Sequence, residues 1–259
     1  MAAVGKEASK ADRLVWHYAS RTAHDASDAS VPTPPASMTT LLIADDHPLF
    51  REALRGAVQR VLPGVSLHEA DSVDALYALV EANPDADLLL LDLNMPGAHG
   101  FNALVHLRAL HPQLPVVVVS AREEPSVMRR ALDHGALGFI PKSADSDTIG
   151  EAIGLVLDGE RWAPEEAHNA PAIGRDEQEV AQRLRDLTPQ QFRVLQMLGA
   201  GRLNKQIAYD LGVSEATIKA HVTAILRKLG VTNRTQAVLM AGRLSVDPDG
   251  LTPPPEDQD

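Results

Sequence analysis

Short apolar runs alternate with longer amphipathic stretches between residues 39 and 160. Five runs are mostly apolar and lie between turn-forming residues, which favours buried strands; they are residues 41–44, 65–70, 87–93, 115–120 and 138–140. A stretch with apolar residues three or four positions apart, which is typical of a helix, follows each run. This alternation predicts a doubly wound α/β fold, in which helices cover both faces of a five-stranded parallel sheet.

Residues 187–244 instead show four helical stretches. Thr188 followed by Pro189 predicts the start of the first, because Thr accepts hydrogen bonds from free amides and Pro suits a first helical turn. The others are residues 204–211, 214–229 and 234–244, and the turn Gly212-Val213-Ser214 has the chemistry of a helix-turn-helix. The segment therefore predicts an all-α four-helix domain with a buried stripe on its third helix: Val213, Ile218, Val222, Ile225 and Leu229.

Three segments fit neither domain. Residues 1–38 are rich in Ala, Ser and Asp, and residues 245–259 combine Pro with five acids; both compositions predict disordered tails. Met38 directly precedes the first strand, so translation could begin there. Residues 161–186 predict a linker with a helical stretch from residue 177 to 187. The predicted domains are therefore residues 39–160 and 187–244.

Charge divides the chain in the same way. The net charge is −11, yet residues 39–160 carry −10 and residues 187–244 carry +6. An acidic module joined to a basic one is typical of a regulator attached to a nucleic-acid binder. The chain has no Cys, which excludes disulfides and thiolate metal sites. No apolar run approaches the roughly 18 residues of a membrane span, so we expect a cytoplasmic protein.

Polar side chains end four of the predicted strands. Asp45 and Asp46 follow the first strand, Asp92 the third, Ser120 the fourth and Lys142 the fifth. In this type of fold, ligands bind at the carboxyl ends of the strands. Crowded carboxylates repel one another unless a cation is present, and oxygen ligands favour Mg²⁺. Ser120 and Lys142 could then hold the oxygens of a phosphoryl group placed on one carboxylate.

Four short motifs contain these side chains: Asp45-Asp46, Leu91-Asp92-Leu93-Asn94-Met95-Pro96-Gly97, Ser120-Ala121 and Phe139-Ile140-Pro141-Lys142. With them, residues 39–160 resemble the receiver domain of two-component response regulators. The resemblance implies that Asp92 accepts a phosphoryl group from a sensor histidine kinase or a small phosphodonor. It also implies that Asp46, Asp92 and the Asn94 carbonyl bind Mg²⁺ directly, with Asp45 acting through water. Phe139 would be the switch aromatic, coupled through packing because it lacks the hydroxyl of Tyr.

The third helix of the basic domain has a polar face opposite its buried stripe. Lys219, Ala220, Thr223 and Arg227 lie on that face. Cations there can contact phosphates or guanine in the DNA major groove, and the methyl groups of Ala and Thr can contact thymine. These residues alone equally fit an ordinary helical bundle with a solvated basic face.

Further motifs lie along residues 187–243: Leu187-Thr188-Pro189, Val194-Leu195, Gly201, Asn204-Lys205, Ile207-Ala208, Leu211, Ser214, Thr217-Ile218-Lys219, His221 and Lys228-Leu229. They resemble a LuxR/FixJ-type DNA-binding domain. The resemblance implies contact with double-stranded DNA, adds Asn204, Lys205, Ser214 and Thr217 to the DNA-binding residues, and makes Arg234–Leu244 the dimerisation element. The chain departs from the family at Gln190-Gln191-Phe192-Arg193 and at Gln206, where acids of internal salt bridges are usual.

Together the two resemblances, to the NarL/FixJ type of response regulator, predict a phosphorylation-dependent transcriptional regulator, dimeric when phosphorylated, rather than an enzyme. Two other classes stay open. A phosphoaspartyl hydrolase of the haloacid-dehalogenase kind needs an acid/base carboxylate where Asn94 stands. A small-molecule-sensing LuxR-type regulator needs an aromatic-lined ligand domain, which suits the few aromatic residues poorly. We also expect the unphosphorylated receiver to dock near the basic helix of residues 214–229, because opposite charges attract across a short linker.

Overall fold

Five parallel strands form one sheet in the first domain. The computed structural model describes residues 39–98 and 100–246. The strands are β1 (Thr40–Ala44), β2 (Ser66–Ala70), β3 (Leu88–Asp92), β4 (Val116–Ser120) and β5 (Gly138–Pro141). Their order across the sheet is β2-β1-β3-β4-β5, so the chain reverses its direction of winding between β1 and β3. The predicted doubly wound parallel sheet is confirmed.

Helices cover both faces of this sheet. They are α1 (Pro48–Val61), α2 (Val73–Ala82), α3 (Asn102–Leu110), α4 (Pro125–Asp133) and α5 (Ser146–Leu157). Alternate strand residues such as Ile43 and Val119 pack in the layer under α1 and α5, and their neighbours Leu42 and Val118 pack in the layer under α2, α3 and α4. The strands β1, β3 and β4 in the middle of the sheet need apolar residues on both sides, which explains their continuous apolar runs. The edge strand β2 contains Ser, His and Glu and is only half-buried.

The segment between the domains is helical and packed. It contains α6 (Glu165–Asn169) and α7 (Arg175–Arg185), whereas the sequence predicted one helical stretch from residue 177. Glu177 accepts hydrogen bonds from Arg130 (2.8 Å) and His134 (2.7 Å), and the Ile173 N–H donates to Asp133 (3.0 Å). These bonds hold the segment against α4. The linker is therefore an ordered element rather than a loose tether.

The second domain consists of α8 (Pro189–Gly199), α9 (Asn204–Asp210), α10 (Glu215–Leu229) and α11 (Arg234–Gly242), and it confirms the predicted helical fold. Thr188 caps α8 through a reciprocal pair of bonds with Gln191, and Gly230 ends α10 in the left-handed conformation (φ +68°). Of the predicted stripe, Ile218, Ile225 and Leu229 are buried and Val222 is half-buried. Val213 is 37% exposed, because it lies in the turn before the helix, and its place in the stripe is wrong.

The predicted tails, residues 1–38 and 245–259, lie outside the described residues except for Ser245 and Val246. These two residues contact the first domain, so the C-terminal tail begins later than predicted. Within the described ranges, no helix is both long and apolar enough to cross a membrane.

Candidate functional site

Two buried carboxylates and a lysine meet at the carboxyl end of the sheet. Ala44 of β1 is the register partner of Leu91 of β3. The next residues, Asp45 and Asp92, therefore lie side by side. Both are 1% exposed, and Asp46 is half-buried. Lys142, after β5, reaches both buried acids: its Nζ is 2.6 Å from Asp45 Oδ2 and 2.7 Å from Asp92 Oδ2. The lysine thus compensates two charges that would otherwise repel each other in a buried site.

Burial dominates the titration of Asp92. It raises the pKa of this carboxyl above its ordinary value, and the nearby charge of Asp45 acts in the same direction. The ammonium of Lys142 and the backbone N–H of Asn94, which donates to Asp92 Oδ1 (3.2 Å), lower the pKa but only in part. The charged form of Asp92 is therefore incompletely compensated by the chain's own residues.

The acidic pocket offers oxygen ligands for a cation. One carboxylate oxygen from each of Asp45, Asp46 and Asp92 lies within 4.8 Å of the others. Three oxygens at this spacing suit a small, hard divalent ion such as Mg²⁺. Asn94, whose backbone carbonyl the resemblance to receiver domains implies as a further ligand, is exposed in the loop after β3.

Two site residues at the start of α1 were not singled out from the sequence. His47 Nδ1 lies 2.8 Å from Asp46 Oδ1 and 3.3 Å from Asp45 Oδ1. Phe50 lies with its ring centroid 4.8 Å from the Nζ of Lys142, a cation–π contact that helps to orient the lysine. The only sequence signal for His47 was its place after two acids, and nothing in the sequence marked Phe50.

Ser120 and Phe139 lie on the strands next to this pocket. Asp92 on β3 is the register partner of Val119 on β4, the residue just before Ser120. The Oγ of Ser120 is buried and accepts a hydrogen bond from the Arg122 N–H (3.1 Å). Phe139 is fully buried in the layer under α2, α3 and α4, three residues before Lys142 on β5. It packs beneath the face of the receiver that the second domain covers.

The predicted DNA-reading face of α10 is open to solvent. Lys219, Ala220, Thr223 and Arg227 are all exposed. Lys219 forms an ion pair with Glu215 one turn earlier (3.0 Å), and the Thr223 hydroxyl donates to the Lys219 carbonyl (3.0 Å). The face combines two cations with small side chains, as expected for a helix that enters a major groove.

The remaining predicted DNA-binding residues lie at the starts of α9 and α10. Lys205 is exposed and Asn204 is half-buried in the first turn of α9. Ser214 caps α10 by accepting the Thr217 N–H (3.1 Å), and the two hydroxyl oxygens are 2.9 Å apart. Ser214 and Thr217 therefore stabilise the start of the helix, and both stay exposed where a DNA backbone could approach.

An aromatic contact joins the two domains. Phe192 of α8 stacks on His106 of α3 with ring centroids 4.0 Å apart, and both side chains are buried. The Tyr77 hydroxyl donates to His106 Nδ1 (2.9 Å), and His106 Nε2 donates to the Leu187 carbonyl (3.2 Å). A carbonyl can only accept, so Nε2 carries a proton. The lowered pKa of this imidazole makes the ring neutral at neutral pH, so Nδ1 is the acceptor of the Tyr77 hydroxyl. Burial is the main cause that lowers the pKa of His106 to about 4.

Polar contacts surround this stack. Arg193 Nε lies 2.9 Å from Asp74 Oδ1, and Gln196 Nε2 donates to the Gly97 carbonyl (2.9 Å). Phe192 and Arg193 belong to the segment in which the sequence departs from LuxR-type domains. Two of the unusual residues of this chain therefore make contacts between its own domains, whereas Gln191 and Gln206 bond within the DNA-binding domain.

The docked face differs from the one that charge predicted. Helices α8 and α11 contact the receiver, whereas the basic face of α10 stays exposed, so the expected docking near the basic helix is wrong in position. Surface charges attract weakly because water and salt screen them. Burial of Phe192 against His106 and hydrogen bonds to the backbone of residues 243–246 decide the arrangement instead.

Residues 243–246, which follow α11, are held by Phe101 and Arg130 of the receiver. We call residues 243–246 together with Phe101 and Arg130 the C-terminal clamp. The Phe101 N–H donates to the Leu244 carbonyl (2.8 Å). The Arg130 guanidinium, which lies over the Phe101 ring at 4.7 Å, donates to three further carbonyls at 3.0–3.3 Å: those of Arg243, Ser245 and Val246. Because the acceptors are backbone carbonyls, this contact does not depend on the side chains of residues 243–246.

Comparison with known proteins identifies both domains. Residues 41–154 match the response regulator receiver domain, and residues 185–241 match the bacterial regulatory proteins of the luxR family. The glycerol metabolism activator of Pseudomonas putida is 44% identical over 211 residues, which cover 79% of this chain and 96% of that protein. The transcriptional regulatory protein DegU of Brevibacillus brevis is 33% identical over 220 residues, which cover 77% of this chain and 91% of DegU.

Among solved structures, RcsB from Salmonella enterica serovar Typhimurium bound to promoter P1flhDC is 23% identical, with a TM-score of 0.48 over 80% of this chain and 99% of RcsB. The relatives named above align along nearly their whole length and across both domains. This chain therefore belongs to the family of DNA-binding response regulators in which a LuxR-family helix-turn-helix domain follows a receiver domain.

Proposed function

We propose that Asp92 accepts a phosphoryl group from a sensor histidine kinase and that this modification controls DNA binding. The observation that supports the proposal is the meeting of Asp45, Asp92 and Lys142 at the carboxyl end of the sheet. A carboxylate oxygen of Asp92 attacks the phosphorus of a phosphohistidine; the P–O bond forms as the P–N bond breaks, and the imidazole leaves.

Mg²⁺ fits the acidic pocket, since its donors are carboxylate oxygens. Asp46 and Asp92 with the Asn94 carbonyl would hold the ion, and Asp45 would act through water. When bound, it neutralises negative charge on the phosphoryl oxygens and the carboxylates. Lys142, now paired with Asp92, can pair with a phosphoryl oxygen instead. Ser120 Oγ accepts the Arg122 N–H, so its own proton can be donated to another phosphoryl oxygen.

Incubation of the full chain with Mg²⁺ and phosphoramidate, a small phosphodonor, tests this step. We expect the mass of one added phosphoryl group, which hydroxylamine removes because it cleaves acyl phosphates. An unchanged mass, or a phosphoryl group that resists hydroxylamine, would contradict the proposal.

Phosphorylation would act on the docked arrangement of the domains. By resemblance α11 is the dimerisation element, and docking engages both α11 and the C-terminal clamp. A change at Ser120 and Phe139 repacks the layer under α2, α3 and α4, which supports the docked domain. The equilibrium then shifts toward the form in which the DNA-binding domain is released from the receiver. In that form α11 can pair with α11 of a second copy of the chain. The resulting two-fold dimer matches paired half-sites on double-stranded DNA. Because its target is chromosomal DNA, we place this action in the cytoplasm.

Replacement of Lys219 by Ala should weaken DNA binding mainly through a lost phosphate contact. The slope of log affinity against log salt concentration should then become shallower by about one. Arg60→Ala, an exposed cation on α1, is the control and should leave the slope unchanged. An unchanged slope for Lys219→Ala means that this side chain does not contact the DNA backbone.

Acidification should favour the undocked arrangement. In the docked form the pKa of His106 is about 4, against 6.5 for a free imidazole. Release from Phe192 and Leu187 lets this pKa rise toward its ordinary value, so the undocked form binds a proton that the docked form rejects. Docking is therefore fully present well above pH 6.5 and weakens as the pH falls toward 4, by roughly 30-fold at pH 5.

Small-angle scattering between pH 7.5 and pH 5 measures this opening. His106→Gln, which cannot take up a proton, should flatten the pH dependence, whereas His168→Gln, an exposed histidine on α6, should not. Glu177 acts in the same direction only at lower pH: although burial raises its pKa, the bonds from His134 and Arg130 lower it overall. A wild-type scattering curve that does not change above pH 5 contradicts this role of His106.

A further inference from the structure

His47 follows the first two acids of the acidic pocket, and its imidazole lies against them. It occupies the N-cap position of α1, yet its side chain makes no capping bond to the helix. Its backbone N–H donates to Asp45 Oδ1 (2.7 Å), which helps to fix the loop after β1. The side chain is 63% exposed, so neither helix capping nor burial accounts for the position of the ring beside the acids.

The distances from this imidazole to the acids suit joint coordination of one ion. Nδ1 lies 2.8 Å from Asp46 Oδ1, 3.3 Å from Asp45 Oδ1 and 3.9 Å from Asp92 Oδ2. Two atoms bound to one ion at about 2.1 Å are roughly 3.0 Å apart as neighbours in an octahedron and at most about 4.2 Å apart. All three distances satisfy that limit, as they must if Nδ1 is to bind the same ion as the carboxylate oxygens.

The shortest of these contacts is not a hydrogen bond. Asp46 Oδ1 is shielded from solvent and has no hydrogen-bond partner among the described residues, although His47 Nδ1 is only 2.8 Å away. Nδ1 can donate to Asp45 Oδ1 at 3.3 Å, which is long for a hydrogen bond from nitrogen. When the ring proton lies on Nε2 instead, Nδ1 keeps a lone pair for a metal. A cation bound by Nδ1 and Asp46 Oδ1 would supply the positive charge that their contact lacks.

We propose that His47 Nδ1 is a further ligand of the divalent ion in the acidic pocket, beside Asp46 and Asp92, and that it makes the pocket favour a first-row transition-metal ion over Mg²⁺. The inference rests on the proposed function, because it adds a ligand to the same site. Mg²⁺ prefers oxygen ligands, whereas imidazole nitrogen suits the transition metals, and affinity rises from Mn²⁺ through Co²⁺ to Ni²⁺. One nitrogen among the oxygens therefore widens the difference in affinity between these ions and Mg²⁺.

Pulsed EPR of the untagged full chain with one equivalent of Mn²⁺ tests the ligand directly. A bound imidazole nitrogen modulates the electron spin echo of Mn²⁺, so we expect ¹⁴N modulation in the wild type and none in His47→Ala. This variant should fold, because the side chain that it removes neither caps α1 nor is buried. His168→Ala, which removes an exposed histidine of α6, should keep the modulation.

Calorimetric titration with Co²⁺ and with Mg²⁺ measures the preference. In His47→Ala, Co²⁺ should bind about tenfold more weakly, and the affinity for Mg²⁺ should change by less than about twofold. Absence of ¹⁴N modulation in the wild type, modulation that survives in His47→Ala, or equal losses of affinity for the two ions would overturn the proposal and leave His47 as a hydrogen-bond partner of the acids. Failure here is distinct from failure of the proposed function, because phosphoryl transfer to Asp92 is measured by mass with Mg²⁺ and does not require His47.

Discussion

Replacement of Asp92 by Asn should abolish acceptance of the phosphoryl group. The amide is nearly isosteric with the carboxylate but is too weak a nucleophile to attack phosphorus, so at least about a thousandfold loss is expected. Incubation with Mg²⁺ and phosphoramidate, followed by mass measurement of the intact chain, should show no added phosphoryl group. The same mass gain in the variant as in the wild type would contradict the assignment of Asp92.

The Asp92→Asn variant should remain at least as stable as the wild type. The raised pKa of Asp92 means that its charged form is disfavoured in the folded protein at neutral pH, and the neutral amide removes this cost. Lys142 keeps Asp45 as its partner, 2.6 Å away. Asp85→Asn, an exposed acid in the loop before β3, is the matched control and should be phosphorylated normally.

Replacement of Gly100 by Ala should release the DNA-binding domain without phosphorylation. Gly100 has φ +61°, and a Cβ built there would meet the Leu244 carbonyl and lie 2.6 Å from the Val246 nitrogen. Both are backbone atoms of the C-terminal clamp, so they cannot give way by a side-chain rotation. We expect docking to weaken by about 2 kcal/mol, roughly 30-fold, and DNA affinity of the unphosphorylated chain to rise.

Gly64→Ala controls for backbone strain in this experiment. Gly64 also has a positive φ (+86°), but a Cβ there meets no atom within 4 Å among the described residues. The two variants share a strain of about 1 kcal/mol in the receiver, and only Gly100→Ala touches the clamp. Equal DNA affinities for both variants and the wild type would show that the clamp does not restrain the DNA-binding domain.

The sequence predicted the sheet well because four of the five strands are marked twice, by an apolar run and by the polar residue that follows it; the edge strand β2 has neither mark as clearly. Burial on both faces forces the run, and the shared carboxyl edge brings Asp45, Asp92 and Lys142 together. No comparable local signal marks His47, whose contact with the pocket depends on how the loop after β1 turns into α1. The roles of the site residues stay predictions that the variants above test.

Contacts between the domains were the least accessible to sequence reasoning. Charge favoured the basic helix as the docked element, yet the interface rests on Phe192, His106 and the backbone carbonyls of residues 243–246. Stacking and backbone hydrogen bonds leave no periodic pattern in a sequence. Part of the signal was present at Phe192 and Arg193, where the chain departs from LuxR-type domains, and those departures coincide with the interface.

DNA affinity of the full chain, measured before and after phosphorylation on one promoter fragment at fixed salt, tests the central claim most directly. A fragment selected by the phosphorylated protein from random DNA serves as the target, and Asp92→Asn treated in the same way serves as the reference. Phosphorylation should tighten wild-type binding by about tenfold or more and leave Asp92→Asn unchanged. Equal affinity of the phosphorylated and unphosphorylated wild type would contradict the claim that Asp92 controls release of the DNA-binding domain.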